Sequence, residues 1–419
     1  MAAESHVRAS GARVAQSSPI AHVVFIIQEN RSFNYLFFGY PGAYTKGFGY
    51  DTAGKKVKLH PETLATQWDI EHSLTAFLAV VDNGKYDGWN AQGSVGNAPK
   101  NYAYAYALRD QVKPYWKMAK SYVLADHMFT SNIDGSFTAH QYAIAAYANS
   151  AVDFPATAWG CPGGPTDSVP TLTQQRTYGP AEVPCWDNTT LGDEADAAGI
   201  SWRFYAAPAT TTAGEWSGYQ AIDHIYNGPD WTNDVISPPS QFITDVGNGT
   251  LADITWITPI TTDSDHAGFG YASDKGPGWV ASLVNAVGES QFWNSTAIFI
   301  MWDDWGGWFD PVAPPYEDYD GLGFRVPLLV VSPYAKKNYV THVQYETASV
   351  LRFTEDNFGL AQLAAADTRA ADPGPDVFDF TASPRPFVPI PGGKDAAYWQ
   401  RVERNDRSVL RRPAAAEGD

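Results

Sequence analysis

Short runs of consecutive apolar residues restrict the fold of this chain more than any other feature. Strands buried on both faces have this continuous pattern, and segments with helical spacing lie between the runs. Alternation of the two predicts an α/β fold with a mostly parallel sheet. The predicted strands are Val23–Ile27, Ser201–Tyr205, Ile254–Ile257, Thr296–Trp302 and Val326–Ser332, and the predicted helices include Thr190–Ile200, Gly276–Ser290 and Ser349–Gly359.

Composition limits the function classes that remain. The 419 residues are 44% hydrophobic, which is enough for a large core, and the formal net charge is -18. Such a surface repels phosphate backbones and anionic lipid, so nucleic-acid binding is not expected. No apolar run is long enough to span a bilayer. We expect one main domain over residues 20–385, a flexible leader over 1–19, and a C-terminal extension and tail over 386–419.

The only two cysteines, Cys161 and Cys185, lie in a Gly- and Pro-rich stretch over residues 151–189. This stretch reads as a loop-rich insertion. The pattern favours one disulfide over two free thiols, and a disulfide in turn favours export to the periplasm or the medium. The N-terminus shows no hydrophobic signal segment.

Polar side chains follow several of the predicted strands directly. In open α/β sheets ligands bind beyond the carboxyl ends of the strands, so these groups are candidates for a common site. Oxygen-rich groups of this kind suit a divalent cation, although each pair alone could equally be a helix cap or a turn. The candidates are Glu29 and Asn30, Asp303 and Asp304, Asp263, Asp265 and His266, and the loop residues Ser131, Ser136, Thr138 and His140.

The same stretches resemble the bacterial phosphoesterase family of acid phosphatases and phosphocholine-type phospholipases C, within the alkaline phosphatase superfamily. The resemblance extends from about residue 20 to about residue 385. It implies a three-layer, alkaline phosphatase-like sandwich around the central sheet and hydrolysis of phosphate esters. The segments that carry it are HVVFIIQENRSFNYLFFGYPGA, DGSFTAHQYAIAA, DITWITPITTDSDHAG, MWDDWGGWFDPVAPP, GFRVPLLVVSPYAKKNYVTH and LRFTEDNFGL.

The resemblance also implies roles for individual residues. The implied metal ligands are Glu29, Asn30, Asp303 and Asp304, joined by the nucleophile Ser136. Ser136 would form a phosphoserine intermediate. His266 would contact the phosphate, His72 corresponds to an upstream active-site histidine, and one of these two could protonate the leaving oxygen.

Several positions depart from the family pattern. Asn34 replaces an aspartate, and it is expected to support the loop. Thr138 and Ala139 replace a Pro-Asn pair, which leaves Ser136 favoured over Thr138 as nucleophile. Pro311 and the segment 347–349 lack histidines that the pattern often has. Fewer histidines favour a one-metal centre, whose ion could be Ca, Mn, Zn or Fe.

Three functions follow as alternatives. The first is a metal-dependent phosphomonoesterase of the acid phosphatase type, and the second is a phospholipase C that cleaves diesters such as phosphatidylcholine. Exposed aromatic residues leave a third, a non-catalytic glycan-binding protein, which does not account for Glu29 and Ser136. In the opening motif Arg31 is expected to pair with a structural carboxylate rather than substrate, and Ser32 to cap a helix.

Overall fold

A computed structural model describes residues 18–268, 270 and 273–406. Its centre is an eight-stranded sheet in the order β4-β3-β5-β1-β6-β7-β2-β8, in which every strand is parallel to β1 except the reversed β7. The strands are β1 His22–Gln28, β2 Val123–Ala125, β3 Trp202–Tyr205, β4 Val235–Ile236, β5 Ile254–Ile257, β6 Thr296–Trp302, β7 Leu328–Val331 and β8 Tyr339–Thr341.

The central strand β1 lies between β5 and β6 and is buried along most of its length. Residues Val23–Ile27 are at most 1% exposed. Each such side chain contributes about 1.5–3 kcal/mol through removal from water, which makes the middle of the sheet a rigid platform. All five predicted strands are present, and the predicted α/β fold with a mostly parallel sheet is confirmed.

Helices surround the sheet, and their ends follow local capping chemistry. The helix predicted at Thr190 begins there because Thr190 and Asp193 form a capping box, and it ends at Gly199 with φ 70°. The helices are α1 Phe33–Phe37, α2 Leu74–Val81, α3 Lys113–Ser121, α4 Ser136–Ala145, α5 Leu191–Ala198, α6 Asp223–Tyr226, α7 Pro229–Asn233, α8 Gln241–Gly247, α9 Gly276–Gly288, α10 Thr347–Phe358, α11 Ala365–Arg369, α12 Gly374–Val377 and α13 Ala396–Asn405.

Helix α10 begins two residues earlier than predicted. Glu346 is its N-cap and receives the backbone N–H of the third helical residue, while Glu346 N donates to Ser349 Oγ at 3.0 Å. An acidic N-cap is favourable at the positive end of a helix, which the hydrophobic pattern alone does not reveal.

The remaining strands form two-stranded ribbons at the periphery of the sheet. They pair Phe48–Tyr50 with Lys56–Lys58, His60–Glu62 with Ala105–Ala107, Asp69–Ile70 with Ser94–Val95, and Met128–Phe129 with Tyr345–Glu346.

The insertion over residues 151–189 is an irregular segment joined by the predicted disulfide, Cys161–Cys185. It packs on the start of α4, where the rings of Phe137 and Trp159 lie 5.8 Å apart. The insertion therefore forms one wall around the segment that carries Ser136.

The C-terminal segment packs onto the domain through α13. Trp399 is buried and its indole N–H donates to Ser282 Oγ at 2.8 Å. Most of the predicted leader, residues 1–17, and the end of the tail, residues 407–419, lie outside the described residues. Within the described part of the chain, no helix combines the length and apolar character that a bilayer crossing requires.

Candidate active site

The site is built first by the carboxyl ends of β1 and β6. Gln28 pairs with Trp302 in the parallel register, so Glu29 and Asp303 leave the sheet side by side. Asn30 N donates to Asp303 Oδ1 at 2.8 Å and holds the two strand ends together. Asn30 itself has φ 54°, an unfavourable conformation that a short polar side chain tolerates best. The strand ends thus aim two carboxylates and an amide at one point.

A tight turn after β6 fixes the second aspartate. Asp304 Oδ1 accepts the Gly306 N–H at 2.6 Å. Gly306 has φ 58°, and a Cβ there would lie 2.1 Å from the Asn30 carbonyl oxygen, so a side chain does not fit. This contact leaves Asp304 Oδ2 directed at the nucleophile segment.

Ser136 lies at the first position of α4, where backbone N–H groups give the helix end a positive potential. Its Oγ donates to Asp304 Oδ2 at 3.1 Å and accepts from Asn30 Nδ2 at 3.2 Å. The alternative nucleophile Thr138 donates instead to Ala151 O at 3.1 Å, away from this cluster. The geometry therefore supports Ser136 over Thr138.

His140 is one helical turn after Ser136 and joins the same cluster. Its Nε2 lies 3.1 Å from Glu29 Oε1 and 3.8 Å from Asp303 Oδ2. Burial lowers the pKa of His140 to about 4, although the Asp303 charge opposes this effect, so the imidazole is neutral and suited to bind a metal. His140 was noted in the loop but is absent from the predicted ligands. Its position four residues after Ser136, on the same helix face, is the signal that could have identified it.

His72 and His266 lie on the other side of Ser136, with ring centroids 6.0 Å apart. His72 Nδ1 donates to Ile70 O at 2.7 Å, and its Nε2 accepts from Asn30 Nδ2 at 2.9 Å. His266 Nδ1 donates to Ala267 O at 2.5 Å, and its ring stacks beside Trp216. Burial, followed by the neighbouring His72, lowers the pKa of His266 to about 3. Both rings thus turn Nε2 toward the interior of the site.

The donor set fits a divalent cation. Glu29, His140 and Asp303 place candidate ligand atoms within 4.8 Å of one another, and Asp304 adds a third carboxylate nearby. Asn30 Oδ1 and Asp303 Oδ2 are buried oxygens that accept no hydrogen bond from the described residues. Burial raises the pKa of Asp303, but its interaction with the His140 imidazole and several hydrogen bonds outweigh it and lower the pKa overall. Carboxylates concentrated in a dry site require a compensating positive charge.

The two other aspartates of the predicted set lie beside this cluster rather than in it. Asp265 Oδ2 accepts from Tyr115 Oη at 2.7 Å and from Trp302 Nε1 at 3.0 Å, and burial raises its pKa to about 6. Asp263 is buried as well, and burial raises its pKa well above the usual range. Both residues shape the segment that presents His266.

The opening motif places Arg31 in a structural environment. Arg31 Nη2 donates to Leu64 O at 3.1 Å, and the guanidinium lies 4.8 Å from the ring centres of Tyr35 and Trp308. Its charge also acts on the buried carboxyl of Asp265, where it opposes part of the rise in pKa that burial causes. Ser32 does cap α1, because its Oγ accepts the Tyr35 N–H.

Asn34, which replaces an aspartate of the family pattern, supports the loop. Its Oδ1 accepts the Lys46 N–H at 2.9 Å, and its Nδ2 donates to Lys46 O at 3.2 Å. The amide therefore connects α1 to the loop at Lys46 and takes no part in the cluster of carboxylates.

The chain is similar in sequence to curated bacterial proteins. A "Non-hemolytic phospholipase C" of Burkholderia pseudomallei is 24% identical over 81% of this chain and 55% of its own length. "Phospholipase C B" of Mycobacterium tuberculosis is 26% identical over 88% of this chain and 80% of its own length. This chain therefore spans about half of the first relative and four fifths of the second.

Among solved structures, a protein in the alkaline phosphatase superfamily from Vibrio parahaemolyticus is similar over 84% of this chain and 70% of its own, with 8% identity and a TM-score of 0.39. The Phosphoesterase family matches residues 20–361, which include all the residues of the cluster. The family match and the phospholipase C relatives support a phosphoric ester hydrolase. By that match over most of its length, the chain belongs to the Phosphoesterase family.

Proposed function

We propose that this chain hydrolyses phosphate esters by attack of Ser136 on phosphorus, and that it takes phosphoryl groups carrying a single negative charge. The observation that carries this proposal is the contact of Ser136 Oγ with Asp304 Oδ2 and Asn30 Nδ2 inside a cluster of acidic groups. A phosphoserine forms in the first half of the reaction, and water releases phosphate or a phosphate monoester in the second.

The chain's own residues divide the proton chemistry. Ser136 already donates its proton to Asp304 Oδ2, so this carboxylate is the acceptor when Oγ attacks. Asn30 Nδ2 holds Oγ in place and also contacts His72 Nε2. To protonate the leaving oxygen, His72 or His266 must first take up a second proton on Nε2, because the Nδ1 proton of each ring is already donated to a backbone carbonyl.

A divalent cation would be held by Glu29, Asn30, Asp303, Asp304 and His140. When bound, it supplies positive charge that neutralises the phosphoryl group and lowers the pKa of a neighbouring hydroxyl. The donor set mixes carboxylate and amide oxygen with one imidazole nitrogen, which suits Mn, Zn or Fe better than Ca.

The charge of the site bears on the substrate. Three carboxylates surround Ser136, and the low pKa values of His140 and His266 leave these imidazoles neutral. Even with a divalent cation bound, the three carboxylates outweigh its two positive charges, so a doubly charged phosphoryl group meets more repulsion here than a singly charged one. Phosphodiesters carry one charge at any pH above their low pKa, whereas monoesters do so only below about pH 6.

Phospholipase C activity is therefore the better supported candidate, because the curated relatives carry that name and their chemistry gives a singly charged phosphoryl group. An acid phosphatase is the second candidate, favoured by the same charge argument at acidic pH. The Cys161–Cys185 disulfide supports action outside the cytoplasm, where phospholipid headgroups are accessible.

Parallel assays on two chromogenic substrates test the proposal. p-Nitrophenyl phosphorylcholine and p-nitrophenyl phosphate are compared from pH 4 to 9, before and after EDTA and with metals added back. Diester turnover across the range, with monoester turnover confined to acidic pH, supports it. Monoester turnover that increases above pH 7 contradicts the charge argument, and silence on both substrates with every metal contradicts the proposed reaction.

A further inference from the structure

A second cluster of potential metal ligands lies at the carboxyl ends of β2 and β8. These strands are parallel to β1 and β6, so the cluster lies at the same end of the strands as the cluster around Ser136. These strands pair in parallel with Ala125 beside Thr341, and Asp126 N donates to Thr341 O at 3.1 Å. Asp126 and His342 are the residues that follow these partners, and His127 follows Asp126. The strand register therefore brings all three side chains together.

The three side chains converge on one oxygen atom. His127 Nδ1 lies 2.7 Å from Asp126 Oδ1, and His342 Nδ1 lies 2.8 Å from the same oxygen. The two rings are nearly perpendicular, with centroids 6.1 Å apart, and the candidate ligand atoms all lie within 4.8 Å of one another. Two imidazoles and a carboxylate thus face a common point.

Asp126 is held in a fixed position by its neighbours. It is fully buried, and its Oδ2 accepts the Tyr44 N–H at 2.7 Å, while Arg325 Nη1 donates to its backbone oxygen at 2.6 Å. His127 is partly exposed and the His342 side chain is 61% exposed, so an ion reaches the cluster from solvent. A fixed carboxylate with two accessible imidazoles is a preorganised arrangement.

We propose that Asp126, His127 and His342 form a second metal site, which takes a borderline divalent transition metal such as Zn(II). Two nitrogen ligands and one oxygen ligand, with room for solvent as the fourth, match the preferences of zinc. On binding, each imidazole presents the Nδ1 lone pair and carries its one remaining proton on Nε2. None of the three residues belongs to the cluster around Ser136.

The site has a clear structural consequence. Strand β2 is followed by Asp126, His127 and the short strand Met128–Phe129, and only then by the loop before α4. A metal bound here joins the end of β2 to the end of β8. Its role is thus structural, and it lies outside the cluster around Ser136.

Zinc stoichiometry tests the proposal directly. Protein without a polyhistidine tag is stripped with EDTA, dialysed against buffered micromolar Zn(II) and measured by inductively coupled plasma mass spectrometry. The unmodified chain should retain one equivalent more than His127→Asn/His342→Asn. His224→Asn is the matched control, because His224 is partly exposed and lies between Asp187 and Asp193 without a second imidazole; it should retain the full amount.

Equal zinc content in the unmodified chain and the double variant would overturn the proposal, whether the shared value is one or zero. Circular dichroism establishes that each variant is folded. If the double variant is not, His342→Asn alone answers the question, because this side chain is exposed. That single change should weaken zinc binding at the site by roughly tenfold or more, since removal of an outer-shell partner already has such an effect. Unchanged affinity contradicts the site.

Discussion

Two clusters at one edge of the sheet differ in how strongly the fold encloses them. The cluster around Ser136 follows the central strands β1 and β6, and its members are at most 3% exposed. The cluster of Asp126, His127 and His342 follows the edge pair β2 and β8, and two of its members reach solvent. Position within the sheet thus sets the environment: central strand ends produce a dry site for chemistry, and edge strand ends produce an open one for binding.

Among the changes that separate the two clusters, substitution of Ser136 should have the largest effect on activity. Ser136→Ala eliminates the attacking oxygen, and we expect kcat on p-nitrophenyl phosphorylcholine to fall by about 1,000-fold or more. Thr138→Val is the control, because the Thr138 hydroxyl contacts Ala151 O and Asp134 rather than the carboxylates of the cluster around Ser136. The reverse ranking of the two variants would move the nucleophile to Thr138.

Loss of His140 should weaken metal binding at the central cluster but leave the edge cluster intact. We expect His140→Asn to raise the dissociation constant of the catalytic metal by roughly 10- to 100-fold, measured by competition with a fluorescent chelator. Excess metal should restore much of the activity. His342→Asn should leave activity on the same substrate near that of the unmodified chain, because His342 is absent from the central cluster. Equal losses of activity in both variants would show that the clusters are not separate.

Glu355 is a buried carboxyl group outside both clusters, and the cost of a buried charge is avoided there in a different way. Burial, followed by a hydrogen bond and the charge of Asp367, raises the pKa of Glu355 to about 9. Asp367 accepts the backbone N–H groups of Ala364 and Thr368. Where the central cluster fits a cation, Glu355 holds a proton.

This proton predicts a pH dependence of modest size. Between the unfolded pKa near 4.5 and the folded value near 9, the unfolded chain releases a proton that the folded chain keeps. Stability should therefore fall as the pH rises from 5 to 8 in the unmodified chain, and less so in Glu355→Gln. Urea unfolding at both pH values measures the difference. Asp356→Asn, on the exposed side of the same helix, should leave the decline in place.

The sequence was informative where structure is determined by continuous apolar runs. The predicted strand Thr296–Trp302 matches β6 at both ends, and the polar residues after it lie where the strand-end rule placed them. The short strands β2, β4 and β8 were not predicted, because two or three residues carry no periodic signal and depend on pairing with a neighbour.

The candidate site was harder to predict in detail. Glu29, Asn30, Asp303 and Asp304 could be grouped because each directly follows a strong strand. His140 was not assigned as a ligand because its approach to Glu29 depends on how α4 packs above β1, a tertiary contact between residues 111 positions apart. The pairing of Asp126 with His342 likewise depends on β8, which the hydrophobic pattern does not show.

The reversed strand β7 separates the two clusters from each other. It lies between β6 and β2, so the strand ends that bear the two clusters are two strand spacings apart, or about 10 Å. Because β7 runs the other way, it brings its beginning, and not a polar strand end, to the shared edge. This gap keeps the two sites independent. No ligand is shared across it, so one site can bind or lose its ion while the ligands of the other site stay the same.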